Sequence, residues 1–221
     1  MILIITHKED FTVDFVVDKL NQRNVNYYRF NCEDIDESGY NFTINSKHLQ
    51  FQLANQQQYK SVWFRRTKLP PIDIEDIGSR AFILSEYDAL LGNLLETIDC
   101  SRWLSRPGTV YRAENKFLQL SIARKIGFKL PNTLVTSDKS QVKKFYEENN
   151  ANIIIKPLAS SRVTHSNGIE HIFTNRVLSK DIEMLKSFDL TPAIFQENIQ
   201  KKYELRVTVE HDKAFSAYVD S

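Results

Sequence analysis

The chain has 221 residues, with 29 Lys and Arg against 28 Asp and Glu, for a formal net charge of +1. At 42% hydrophobic and 26% charged its composition is globular, and the length suits one large domain or two small ones. The even charge balance argues against a nucleic-acid or polyanionic-membrane partner. Two cysteines, Cys32 and Cys100, exclude a disulfide framework and a four-cysteine metal centre. Residues 1–6 are apolar but lack a basic flank, and run into Lys8-Glu9-Asp10, so they read as a strand rather than a signal peptide. No apolar run approaches the ~20 residues that span a bilayer. A cytoplasmic protein is expected.

The opening elements follow a strand–helix–strand pattern. Residues 2–6 form a continuous apolar run, as in a strand covered on both faces. Val13, Val16, Val17 and Leu20 then mark one face of a helix, and residues 27–32 a second strand. Residues 40–45 and 48–54 alternate around Asn45-Ser46-Lys47, predicting a hairpin. Residues 61–66 form another strand, stopped by Pro70-Pro71. Residues 79–98 carry enough leucines for a long, heavily buried helix, and residues 101–108, with Pro107-Gly108, read as a linker.

After the linker the chain alternates. A helix over 113–126 ends at Gly127, and a strand over 133–136 leads to a helix capped by Asp138 with Gln141 three residues on. A strand over 152–156 is followed by a polar loop over 160–168, a strand over 169–174, a helix over 179–188 and a strand over 193–196. The end is a hairpin, 204–210 with 214–219, turned at His211-Asp212-Lys213. The fold class is α/β.

Six scattered glycines exclude a G-x-G-x-x-G turn and a G-x-x-x-x-G-K phosphate loop, which need clustered glycines for close backbone approach. Lysines and strand-borne groups would have to hold any nucleotide. Ile153-Ile154-Ile155-Lys156-Pro157 puts a lysine at the exit of a buried strand, where its ammonium must reach water or an anion such as phosphate. Phe195-Gln196-Glu197-Asn198-Ile199 is a strand running into a turn, offering backbone groups and a carboxylate of the kind an adenine edge needs. Arg65 and Arg66 point to opposite faces of their strand, so one of them, with Lys68, either grips a substrate carboxylate or ends the strand in solvent. The five histidines read as structural or exposed, and neither cysteine has the neighbours of a nucleophile.

Asn115-Lys116, Pro131-Asn132-Thr133, Lys156-Pro157, Gln196-Glu197-Asn198-Ile199 and Glu204-Leu205-Arg206, with Ser61-Val62-Trp63-Phe64-Arg65-Arg66 before them, resemble the ATP-grasp superfamily, in the order that family uses. Within it they resemble the ribosomal-peptide maturases, the microviridin-type (graspetide) ligases. The resemblance implies a pre-ATP-grasp α/β domain over 1–100, on the substrate side, then a partial ATP-grasp fold of α+β lobes over 101–221. It implies ATP and Mg2+ as cofactors and a precursor peptide, leader and core, as partner, with homodimerisation a family expectation.

By the same resemblance Lys116 and Lys156 contact ATP phosphates, Lys156 also lying near the adenine, while Gln196, Glu197, Asn198 and Ile199 form the adenine hinge. Glu204 lies near the position that contacts the ribose or the adjacent strand, and Arg206 stabilises the transferring γ-phosphate and the acyl phosphate. Arg65 and Arg66 fall on the substrate side, and the loop over 160–168 closes on the triphosphate. The implied activity is ATP-dependent activation of Asp or Glu side chains as acyl phosphates, for macrocyclic ester or amide formation. The family's magnesium ligands are expected beyond residue 221, since Asp220 reads as a hairpin end, and the chain as given is expected to be truncated and weakly active or inactive. The alternatives are a non-catalytic leader-peptide-binding module or half of a split ligase, and an ATP-grasp ligase acting on a small amino acid.

Overall fold

The computed structural model describes all residues except 160, 161, 166, 167, 188, 189, 211, 220 and 221, and the side chains of 162–165, 168 and 169 are likewise not described. Ser160, Ser161, Ser166 and Asn167 of the expected loop, the helix end at Phe188, the turn residue His211 and the carboxylate Asp220 lie outside the described residues, as does the side chain of His165. The chain forms two compact units, Met1–Asn115 and Lys116–Ser221.

In the first unit β1 (Ile2–Thr6) is apolar from Ile2 to Ile5 because it is an inner strand of a parallel sheet. It pairs on one side with β2 (Tyr27–Asn31), reached through α1 (Phe11–Gln22), and on the other with β5 (Ser61–Phe64). The residues expected to link the domains instead continue this sheet. Trp103–Leu104 form β6, parallel to β5, and Pro107 opens a helix, α4 (Pro107–Ala113), at its first position. The sheet order is β2-β1-β5-β6.

Between β2 and β5, a 3₁₀ turn (Cys32–Asp34) and α2 (Ile35–Ser38) lead to the expected hairpin, β3 (Tyr40–Ile44) and β4 (Leu49–Leu53). Asn45 Oδ1 accepts from the Lys47 and His48 N–H groups at 2.9 and 3.0 Å, an Asx turn that closes the hairpin. The long helix α3 (Ile77–Thr97) is capped by Asp76, which accepts from Ser79 N–H at 2.7 Å. Its burial departs from expectation. Only Leu91, Leu94 and Leu95 are buried, whereas Ile77 and Phe82 are 74% and 66% exposed. A 21-residue helix is about 31 Å long, roughly twice the length of these strands, so its amino-terminal half overhangs the sheet. The core joins Leu3, Ile5, Phe30, Phe64 and Leu94 with both thiols.

The second unit opens with α5 (Lys116–Lys125), which is the helix expected over 113–126 begun three residues later, since Ala113 instead ends α4. Gly127 follows at φ +89°, with the Phe128 N–H bonded back to the Ala123 carbonyl, a left-handed C-terminal cap that suits glycine. Asp138, as expected, caps α6 (Lys139–Glu148) by accepting from the Ser140 and Gln141 N–H groups.

The sheet of this unit is antiparallel, in the order β11 (Asn175–Arg176), β8 (Ile153–Pro157), β12 (Ala193–Glu197), β7 (Thr133–Thr136). α7 (Ser179–Met184) and a 3₁₀ turn (Leu185–Ser187) precede β12. The stretch expected as a loop holds β9 (Arg162–His165), paired antiparallel with β10 (Gly168–His171). Alternation between β-branched and polar residues suffices for such a ribbon, and composition alone had suggested a loop. β13 (Glu204–Glu210) and β14 (Lys213–Val219) form the last hairpin, exposed along nearly all of its length. Among the described residues no helix is long and apolar enough to cross a membrane.

Candidate functional site

The antiparallel sheet has two different faces, and register decides what each carries. Ile153, Ala193 and Phe195 join Val142 of α6, Val177 and Leu185 in one core, with Leu134 and Ile155 against it. Period two then puts Lys156, Ile194 and Gln196 on the opposite face. Ile194 is 1% exposed and Gln196 6%, so this second face is also covered over much of its area.

Lys156 stands at the exit of β8, across from Ile194. Lys116, the first residue of α5, brings its ammonium to the same place. Its Nζ donates to the Pro157 and Ala159 carbonyls at 3.4 Å and to the Leu158 carbonyl. Partial burial, and then the Lys116 charge, push the Lys156 pKa below its ordinary 10.5. Two ammoniums therefore converge on one strand exit, an arrangement that an anion between them would stabilise. A cleft of about 340 Å³ opens beside them, lined in part by Lys156, Leu158, Phe173 and Pro192.

The hinge residues gather at the other end of the same ladder. Glu197 pairs with Ile153, three residues from the Lys156–Ile194 pair, which is about 10 Å along the strands. Its N–H donates to the Asn132 carbonyl at 2.9 Å, and its carboxylate accepts from the Asn132 N–H at 3.3 Å. The Gln196 amide donates to Thr133 Oγ1 at 2.9 Å, tying β12 to β7. Asn198 and Asn152 bond reciprocally, each side-chain amide donating to the other residue, at 3.0 and 3.1 Å, beside the Asn198 N–H to Asn152 carbonyl bond at 2.9 Å. Ile199 is 52% exposed just beyond.

The structure does not gather every expected residue. Glu204 pairs with Lys201 at the start of β13, and Arg206 is exposed on that strand opposite Ala217. In the first unit Arg65 lies 3.4 Å from the Asp10 carboxylate, while Arg66 is exposed. Asn152 and Asp10 were not singled out from the sequence. Asn152 is 46 residues from its partner, and Asp10 lay within a charged run, so neither had a local spacing to find it by. Cys32 is buried, and desolvation with the Glu33 charge pushes its thiol up to about 12, which leaves it un-ionised at neutral pH.

Among the described residues no group of three or more His, Cys, Asp or Glu is placed to hold a metal. Residues 1–110 match the MvdD pre-ATP grasp domain. The match covers 110 of the 221 residues of the chain. No curated protein matches the chain. Among solved structures, the macrocyclase MdnC from Microcystis aeruginosa MRC, bound with precursor peptide MdnA, aligns with a TM-score of 0.85 at 24% identity, over 100% of this chain and 75% of that one. A Chryseobacterium gregarium RiPP-associated ATP-grasp ligase, in complex with ADP and a leader and core peptide, aligns at 0.82 and 28% identity, over 100% and 69%. The ATP-grasp ligase PsnB, complexed with minimal precursor, Mg and ADP, aligns at 0.71 and 20% identity, over 100% and 75%. The fold, a parallel sheet followed by antiparallel sheets, is that of ATP-grasp ligase structures.

Proposed function

We propose that the chain is an ATP-dependent carboxylate ligase acting on a ribosomally made precursor peptide. The observation that carries the reading is the convergence of Lys116 and Lys156 at the exit of β8, about 10 Å along the ladder from the Glu197 hinge. That is about the reach of a nucleoside from its base edge to its first phosphates. Lys156 and Lys116 hold the phosphates as point charges, and the turn from Gln196 to Ile199 meets the adenine edge. ATP, when bound, supplies the γ-phosphoryl group.

In the proposed reaction an oxygen of an Asp or Glu side chain attacks the γ-phosphorus and ADP leaves, giving an acyl phosphate. A Ser or Thr hydroxyl, or a Lys amine, then attacks the acyl carbon, loses its proton and expels phosphate, closing an ester or amide ring. Arg206, with the two lysines, stabilises charge on the transferring group. Glu204 lies toward the ribose. Arg65 and Arg66, in the substrate-side domain over 1–100, receive the peptide. The described residues offer no ready-made cluster for Mg2+.

A thermal-shift titration with Mg-ATP and Mg-GTP tests the reading. An ATP-selective rise, lost in Lys156→Ala and Glu197→Ala, supports it, and no rise in the folded wild type rejects it. The exposure of Arg206 favours one second reading, a peptide-binding module without chemistry. Peptide binding with no nucleotide response would select it.

A further inference from the structure

The turn that joins α6 to β8, residues 149–152, grips the proposed hinge from two sides. Asn149 Oδ1 accepts from the Asn132 side-chain amide at 2.9 Å, just ahead of β7, while Asn152 holds Asn198 just after β12. Between them Asn150 and Ala151 have φ of +54° and +58°, a left-handed backbone that alanine rarely adopts. Such conformations persist where their surroundings over-determine them, and they gather where geometry serves function. Here the Asn150 and Ala151 N–H groups are tied back to the Glu147 and Tyr146 carbonyls at 3.1 and 2.9 Å, which leaves the flanking asparagines to reach the hinge.

Asn152 occupies the backbone of Asn198. The Asn198 N–H donates to the Asn152 carbonyl at 2.9 Å, and the Asn198 carbonyl accepts from Asn152 Nδ2 at 3.0 Å. Asn152 Oδ1 accepts from Asn198 Nδ2 at 3.1 Å and from Arg176 Nη2 at 3.5 Å. Two donors on that oxygen fix which end of the amide faces the Asn198 carbonyl. With Asn198 bonded toward β8, the alternation of the chain turns the Glu197 backbone toward β7. The Glu197 N–H donates to the Asn132 carbonyl, but the Asn132 N–H is taken by the Glu197 carboxylate at 3.3 Å. The Glu197 carbonyl, on that same side, is therefore left without the Asn132 N–H as a partner.

We infer that Asn152 is a positioning residue that sets the base selectivity of this site. The Glu197 carbonyl and, two residues on, the Ile199 N–H are the acceptor and donor left to the base. Adenine matches them with its N6 amine and N1 acceptor, whereas guanine presents an O6 acceptor and an N1 donor in the reverse order. That order discriminates only while the chain from Glu197 to Ile199 is held against rotation, and Asn152 holds the residue between them. The inference rests on the proposed nucleotide site and adds the residue that makes it choose between bases. Asn152 precedes Lys156 by four residues, about 13 Å along the strand, so its effect falls on the base and not on the phosphates.

Calorimetric titration of the folded chain with Mg-ATP, Mg-GTP and magnesium tripolyphosphate separates base from phosphates. Asn152→Ala should lower ATP affinity about tenfold, the scale of one hydrogen bond, and leave tripolyphosphate affinity within about twofold. The preference for ATP over GTP should fall with the ATP affinity. Asn152→Asp keeps the acceptor for the Asn198 amide and lacks only the donor to the Asn198 carbonyl, so it should lose the preference as Asn152→Ala does. Where Asn152→Ala fails to fold, Asn152→Asp decides. Val142→Ala, a core truncation on α6, should lower the melting temperature and leave the preference intact.

An unchanged preference in Asn152→Ala, or equal losses for ATP and tripolyphosphate, overturns the inference. So does a wild-type preference in Asn152→Asp. Loss of preference in Val142→Ala also overturns it, because selectivity would then follow stability alone. Each of these outcomes, in a wild type that prefers ATP, leaves the ligase reading in place. A folded wild type that binds neither nucleotide rejects both.

Discussion

Replacing Lys156 by methionine should have opposite effects with and without nucleotide. In the free chain the ammonium is partly desolvated and repelled by Lys116. Solvent screening at this partly buried position limits the cost to about 0.5 kcal/mol, so Lys156→Met should raise the melting temperature by about 1–2 °C. With ATP at 100 times its dissociation constant, the wild type gains about 2.7 kcal/mol, or about 5–11 °C for a chain of this length. A charge-assisted contact is worth about 1.5–3 kcal/mol, which cuts the variant's gain at the same ATP concentration to about 0.3–1.3 kcal/mol. The remaining shift is about 1–5 °C. Differential scanning fluorimetry reads both quantities in one plate. A variant that melts below the wild type without ATP, and keeps its full shift with it, would refute the reasoning, because Lys156 would then be a packing residue whose ammonium simply reaches water.

The same lysine sets a pH dependence. Its folded pKa lies below the unfolded 10.5, so in the window just under 10.5 the unfolded chain binds more protons and this group's contribution to stability rises with pH. ATP favours the ammonium, so binding should weaken as pH rises through the lowered value and should take up protons there. Calorimetry in buffers of different ionisation enthalpy should show that uptake in the wild type and none in Lys156→Met. Asn152→Ala removes both side-chain bonds to Asn198 and should cost about 1–2 kcal/mol in urea unfolding, and a loss below the error of the fit would mean the pair does not fix the hinge. With its thiol pushed up to about 12, Cys32 should resist alkylation at pH 8 until the chain unfolds, and labelling at the rate of a free thiol would contradict its burial.

What could be read before folding depended on whether the signal was local. Ile2–Thr6, Thr133–Thr136 and the Asn45 hairpin are set by runs and turns a few residues long, and they form where periodicity and turn chemistry place them. The Asp138 cap is equally local, a carboxylate two and three residues from the N–H groups it accepts from. The extent of burial on α3 was not local. Its leucines mark an apolar helix, but only the length of the sheet beneath decides that Leu91 is covered and Phe82 is not. Trp103–Leu104 likewise reads as part of a linker until β5 offers an edge.

The candidate site divides along the same line. Lys116 and Lys156 stand in recognisable motifs 40 residues apart, but nothing in either motif says that two ammoniums will share one strand exit. The antiparallel pairing of β8 with β12 makes that fact useful, since it puts Lys156, where the Lys116 ammonium also arrives, on one ladder with the Glu197 turn, about 10 Å apart. The arginines at the end of β5 gain their meaning in a similar way. Asp10 and Thr6 are ordinary residues in the sequence, and the parallel pairing of β1 with β5 is what brings Asp10, with Thr6 bonded to it, beside Arg65. In both units, register and strand order turn scattered polar residues into places where charge must be answered.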